Sequence, residues 1–290
     1  MLKFRRIGSV SVVYILIAIL GLACSTVRHQ NGQRTSSYQQ LSKEDKSLAD
    51  SLVLHALDNE ALYTVTGHLK PMSSVADIYV KVPRDSASDN TLYDEKTVEP
   101  ASIEKLARYQ RVVNALQFGD LHFVMSPYRI YTKDRRAMSV NVYRESLVDS
   151  MIRANKDFYA QLGFVPGCNP AALISTTENS GLAARYRSYG YLYGYPEHAV
   201  RFFVEASMNY HQKGEKTGRQ FFNIPVYAGE KGRFVYAISK DTEPSAADSA
   251  IYKRAVKSLE RYRKLRGQYV RKDKTADVIG LLNALQKEND

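Results

Sequence analysis

Cysteine is scarce in this 290-residue chain: there are only Cys24 and Cys168. Two thiols cannot supply the tetrahedral Cys/His set of a structural zinc site. The six histidines (His29, His55, His68, His122, His198 and His211) are dispersed, with no pair at ligand spacing. Metal catalysis therefore has no support, and no metal or cofactor is expected. The GxSxG elbow, the HExxH helix, the P-loop and the GxGxxG fingerprint are missing as well. Cys168, in Pro166-Gly167-Cys168-Asn169-Pro170, has no histidine or acid in its immediate sequence to activate it as a nucleophile. Only one apolar run is long, residues 7–23, so the chain has at most one membrane segment. Residues 25–41 contain no acid and too little apolar surface to fold alone.

What is present begins with a leader. Lys3, Arg5 and Arg6 precede the apolar run, the pattern of an export signal. The run ends Leu20-Gly21-Leu22-Ala23-Cys24-Ser25. This resembles the lipobox of bacterial lipoproteins, in which the cysteine becomes the acylated first residue of the mature chain. It departs from that pattern in Gly21, where leucine is usual, and in the larger Leu22. Gly21 and Ala23 also fit an ordinary signal-peptidase site, and the run is just long enough for an uncleaved anchor. Lipidation at Cys24 is the favoured reading, because the cysteine directly follows the apolar run. All three readings place the body outside the cytoplasm, and the favoured one anchors it in the cell envelope, facing the periplasm or the outer membrane. The expected organisation is a signal peptide over 1–23, a tether over 24–41 and a single domain over 42–290. If Cys24 is acylated, Cys168 has no partner and the core must carry stability without a disulfide.

The formal charge is +11. The leader carries three bases and no acid, and residues 253–274 hold ten bases against two acids. The excess is thus one local patch. Behind an export signal it fits anionic lipid or another polyanion, and nucleic acid is not expected. A solvated helix face is the plain alternative.

Along the body, Ser42 caps a helix whose apolar stripe is Ala49, Leu52, Val53, Ala56 and Leu57. Residues 75–82 read as a strand, 83–100 as a polar loop and 103–116 as a helix. Residues 121–131 read as one strand or two short ones, and residues 138–143 pair back as a hairpin turning at residues 133–136. A helix follows over 148–162, and Asn169-Pro170 caps a short one. Residues 189–195 place a tyrosine at every second position, which predicts an extended segment with all four phenols on one side. Pro196 opens a helix running to about Lys213. Residues 220–227 and 233–239 read as strands around a loop over 228–232, and two helices, 246–266 and 274–287, close the chain with a break at Gly267. The expected fold class is α+β, a mainly antiparallel sheet packed with several helices and a helical C-terminus.

Two loops gather the groups of a site. One carries His68, Lys70, Ser73 and Ser74; the other carries Arg185, Arg187, Tyr195, Glu197 and His198. Together they would offer cations, hydroxyls and a helix N-terminus, which suits an anionic or carbohydrate ligand. Glu197 or His198 would serve as acid or base if the site catalyses anything. The alternative is a tyrosine-rich packing seam with both histidines satisfied in ordered turns. Gly67-x-x-Lys70-Pro71-Met72-Ser73 and Gly194-Tyr195-Pro196-x-His198-Ala199-Val200-x-Phe202-Phe203 resemble segments of a family of exported bacterial proteins without an assigned activity. With the lipobox and the tyrosine-rich body, the chain looks like a lipoprotein of the Bacteroidetes type. The resemblance implies a shared fold and no reaction. The expected function is a lipid-anchored envelope binding or accessory protein, with an envelope hydrolase and a purely structural component as alternatives.

Overall fold

A computed structural model describes residues 36–66, 69–81, 98–132, 135–271 and 275–287. The leader, Cys24, the tether up to residue 35, Gly67, His68 and most of the loop over 83–100 lie outside the described residues. Among the described residues no helix is long and apolar enough to cross a membrane.

The chain opens with a single turn, α1 (Ser36–Gln39), and then α2 (Lys43–Asp58). Ser42 Oγ accepts the Asp45 N–H at 3.1 Å, the expected cap. The predicted stripe of α2 is buried. A short helix, α3 (Leu62–Val65), leads to β1 (Met72–Lys81). Then come α4 (Pro100–Ala115), β2 (Gln117–Phe118), β3 (Leu121–Thr132) and β4 (Arg135–Arg144). These four strands form one antiparallel sheet in the order β1-β4-β3-β2. The β3–β4 register breaks between Pro127 and Tyr131. Pro127 has no N–H to give the ladder.

Strand alternation divides the core. Phe123 and Val142 face one side of the sheet, and their neighbours Val124 and Tyr143 face the other. The first side packs with α2 and α3 against the C-terminal elements. The second packs against α5 (Glu145–Ala154), α6 (Lys156–Gln161), α7 (Pro170–Asn179) and α8 (Leu182–Leu192). After these, α9 (Glu197–Lys213) is followed by the β5 (Arg219–Val226) and β6 (Gly229–Ser239) hairpin, α10 (Ala246–Tyr269) and α11 (Val278–Gln286). The fold is α+β with antiparallel sheets and a helical C-terminus, as the sequence predicts.

Four expectations need correction. Residues 189–195 are not extended: α8 runs through Leu192, and a turn at Tyr193 and Gly194 follows. The helix predicted over 148–162 is two, broken at Asn155, whose side-chain amide donates to Met151 O at 2.9 Å. A side chain that bonds the backbone in this way competes with the helix ladder. The β5–β6 loop is shorter than residues 228–232, because β6 begins at Gly229. Gly267 does not end its helix; α10 continues to Tyr269, and an isolated bridge between Val270 and Ala276 makes the break.

One ion-paired clip shows how the helices are joined. Asp45 accepts from Arg108 at 2.9 Å and from Arg111 at 2.8 Å, tying α2 to α4. Those hydrogen bonds, Arg111 first and then Arg108, hold its carboxyl below the usual aspartate value. The clip is therefore complete above about pH 4 and is lost as pH falls through the lowered folded value. Asp45→Asn should destabilise the protein at pH 7, with the deficit shrinking towards pH 2. Urea unfolding followed by circular dichroism at both pH values measures this; a deficit independent of pH would refute the assignment.

Candidate functional site

The site is built around a buried cation. Lys70 is 0% exposed, and its Nζ lies 2.6 Å from Glu60 Oε2. Three rings surround the ammonium: Phe234 at 4.2 Å to the centroid, Tyr193 at 5.2 Å and Tyr195 at 6.0 Å. Ring faces attract a cation, and the carboxylate offsets the cost of removing it from water. Burial still pulls the Lys70 ammonium below its usual value, against the pull of Glu60. Glu60 also receives the Ser74 N–H at 3.3 Å, and its carbonyl receives the Ser73 hydroxyl at 3.3 Å. Ser73 and Thr64 share a further hydrogen bond of 2.8 Å. Lys70 and Ser73, expected to greet a ligand, are thus committed inside the protein.

The two predicted loops meet. Gly194 has φ +71°, and a Cβ added there would lie 2.2 Å from Leu69 O. No side chain fits, so glycine lets the α8–α9 turn rest directly on the backbone before β1. His68 lies outside the described residues.

Beyond this contact lies a cavity of about 310 Å³ between α8, α9 and the β5–β6 hairpin. Its walls hold seven rings, from Tyr186, Tyr189, Tyr193, Tyr195, Phe203, Phe221 and Tyr236, and no charged side chain. The helical conformation of residues 182–192 decides which rings take part. Tyr189 and Tyr193, four apart, stack at 5.5 Å with planes 10° apart. Tyr191 turns away to Phe158 and Tyr159 in the second core. Gly190 lets the helices close, since a Cβ there would lie 2.7 Å from a Val200 methyl. Tyr195 leaves the turn to meet Tyr236 at 5.3 Å. Tyr193 and Tyr195 therefore form a shared partition, with the cavity beside them and Lys70 among the same rings.

Two of the wall hydroxyls are held. Tyr189 donates to Glu178 Oε2 at 2.7 Å, and Tyr236 donates to Asp248 Oδ1 at 2.5 Å. Burial, and then these bonds to carboxylates, push both phenols above their ordinary value. Asp248 is the third residue of the Ser245 capping box that starts α10. Burial pushes its carboxyl up, but the bonds from Tyr236 and Ser245, with His198 alongside, outweigh that and leave it low. His198 Nε2 stands 3.2 Å from Asp248 Oδ2, with the His198 side chain 37% exposed.

The remaining candidates diverge. Arg185 lies over the Tyr186 ring at 5.3 Å, and Arg187 lies over Phe158 at 5.9 Å. Residues two apart on a helix do not share a face, so the arginines do not form one clamp. Glu197 is exposed and bonds the Tyr191 hydroxyl, helping to push that phenol up to about 12, although burial contributes most. Among the described residues no group of three His, Cys, Asp or Glu side chains could hold a metal ion.

Sequence reasoning missed Glu60, Glu178, Asp248 and Tyr236. Only Asp248 had a local signal, the Ser245-x-x-Asp248 spacing of a cap. The fold and cleft together define an α+β protein with a tyrosine-walled cavity. No protein-family model, curated protein or solved structure matches the chain.

Removing one partner of the buried pair leaves the other charge among aromatic rings. Lys70→Met should cost about 3–5 kcal/mol, and Glu60→Gln a comparable amount. The double variant should be clearly more stable than the sum of the two losses predicts. Urea unfolding of the four proteins measures this coupling; strictly additive losses would sink the pairing account.

Proposed function

We propose that this chain is a lipid-anchored envelope protein whose body binds a small, uncharged, ring-bearing molecule in the tyrosine cleft. The anchor rests on the leader and on Cys24. The binding reading rests on the cavity of about 310 Å³ walled by seven rings. A volume at the lower end of the usual range for ligand pockets suits a small molecule. Aromatic walls favour a flat or ring-shaped apolar surface. An anionic ligand, expected from the loop cations, finds no charged side chain in these walls. A sugar would stack on the rings, yet the Tyr189 and Tyr236 hydroxyls are already held by carboxylates.

The His198–Asp248 pair favours a second reading, an envelope hydrolase with His198 as base. Ser245 Oγ, however, donates to the same carboxylate oxygen instead of waiting across the imidazole as a nucleophile would. Hydrolysis of nitrophenyl esters or glycosides that disappears in His198→Ala, with cleft binding intact, would put this reading first.

The cleft is tested with the neutral fluorophore N-phenyl-1-naphthylamine. Ala237, in the cavity wall, becomes Phe to fill the space, and Tyr189 becomes Ala to remove a ring. The parent chain should bind the probe, Ala237→Phe should weaken binding by at least about tenfold, and Tyr189→Ala by several-fold. Equal probe binding in all three chains overturns the cleft assignment.

The anchor is tested by metabolic palmitate labelling and cell fractionation. Cys24→Ala should abolish the label and release the chain from the membrane fraction. Label and retention that persist in this variant refute acylation at Cys24.

A further inference from the structure

The bases of the 253–274 run that lie in α10 fall into two sets, while Lys272 and Lys274 lie outside the described residues. Arg261 donates to Ala284 O at 2.7 Å, fastening α11. Arg266 grips Asp58 through two bonds, of 2.7 and 3.0 Å, fastening α10 to the end of α2. These two are packing residues. The buried stripe of α10 is Ile251, Ala255, Leu259 and Tyr262. Lys253, Lys257 and Lys264 all lie exposed on the opposite side. At 3.6 residues per turn they fall within about 40° of one another and span about 16 Å along the axis. Arg254 and Arg263 are exposed on the two flanks, and Glu260 is the acid on this face.

The geometry points to this lysine face of α10 as a docking surface for an anionic phospholipid bilayer. A straight row of ammonium groups on one helix side matches a flat charged plane, whereas a compact polyanion is better met by a concave cluster. Each basic residue near an anionic leaflet contributes favourably, and the attraction decays within a Debye length. The inference rests on the anchored reading above for its strength. Cys24 and Ser36 are 12 residues apart, a separation of at most about 40 Å for extended chain. Acylation would therefore keep the body close to the bilayer at high local concentration, where weak attraction by one of its faces suffices.

Lysine footprinting on the full chain tests it. The protein is mixed with vesicles of phosphatidylcholine alone or with added phosphatidylglycerol, briefly treated with acetic anhydride, and read by mass spectrometry. Lys253, Lys257 and Lys264 should be protected about fivefold on phosphatidylglycerol vesicles only. Protection should vanish as salt rises from about 0.05 to 0.5 M, and exposed Lys213 should react equally throughout. In flotation, K253E/K257E/K264E should lose about 100-fold of its preference for phosphatidylglycerol over phosphatidylcholine vesicles; K213E should not. Retention on phosphatidylcholine reads the anchor separately. Protection on phosphatidylglycerol without such retention supports the lysine face while the anchor fails. Retention on both lipids without protection overturns the lysine face and spares the anchor. Protection by soluble polyphosphate but not by phosphatidylglycerol also overturns it.

Discussion

An ammonium enclosed by rings persists only if a carboxylate comes with it. Lys70 and Glu60 meet that condition, and much of the surrounding architecture follows. Glu60 lies just before α3, Lys70 just before β1, and the rings around the ammonium come from the α8–α9 turn and from β6. Four separate parts of the chain must arrive together before the charge is compensated. Such a pair contributes little net stability compared with well-packed apolar residues, because desolvation consumes most of its attraction. Its consequence is geometric: arrangements that bury the lysine without Glu60 are strongly disfavoured. Gly194 adds a steric condition at the same place, since only a glycine there admits the Leu69 carbonyl.

The local pieces of the fold were legible because their causes are local. Ser42 and Asn169, both expected as caps, each accept a backbone N–H at the start of a helix. Gly214, at φ +72°, closes α9 where the periodicity ends. The β3–β4 hairpin follows from alternating Val, Met and Tyr. Residues 189–195 were misread because Tyr189, Tyr191, Tyr193 and Tyr195 satisfy period two. Yet Tyr186, Tyr189 and Tyr193 equally satisfy helical spacing, and Leu182, Ala183, Ala184 and Arg185 before them are good helix formers. In the helix Gly190 also packs closely on Val200, where a side chain would not fit. The sequence does not decide whether the two loops meet, and it gives no sign of the role of Lys70. Nothing near Glu60 in the sequence marks it as the partner of a lysine ten residues on.

The same contrast reshapes the chemistry. From sequence, lysine, arginine, serine and histidine in two loops suggest a place for an anion. In the structure Lys70 already has its anion, Ser73 bonds Glu60 and Thr64, and the arginines lie over separate rings. What faces the cavity is the aromatic surface, with the Tyr189 and Tyr236 hydroxyls bonded to buried acids. The polar residues thus act as scaffold, and the apolar ones form the candidate binding surface.

Phenol-to-carboxylate bonds recur where helices and strands must be held in place. Tyr38 donates to Asp50, Tyr189 to Glu178, Tyr236 to Asp248 and Tyr262 to Asp58. Cys168 is free, so no disulfide performs this task among the described residues. A hydrogen bond to a charged group contributes about 1.5–3 kcal/mol, less than a typical cross-link but with a fixed direction. Two of these bonds fix rings of the cleft wall. A ring fixed at its hydroxyl loses little further freedom when a ligand stacks on its face, so less ordering cost opposes binding. Two of the bonds that stand in for cross-links thereby also pre-shape the cavity, and under the proposed function stability and recognition draw on the same two tyrosines.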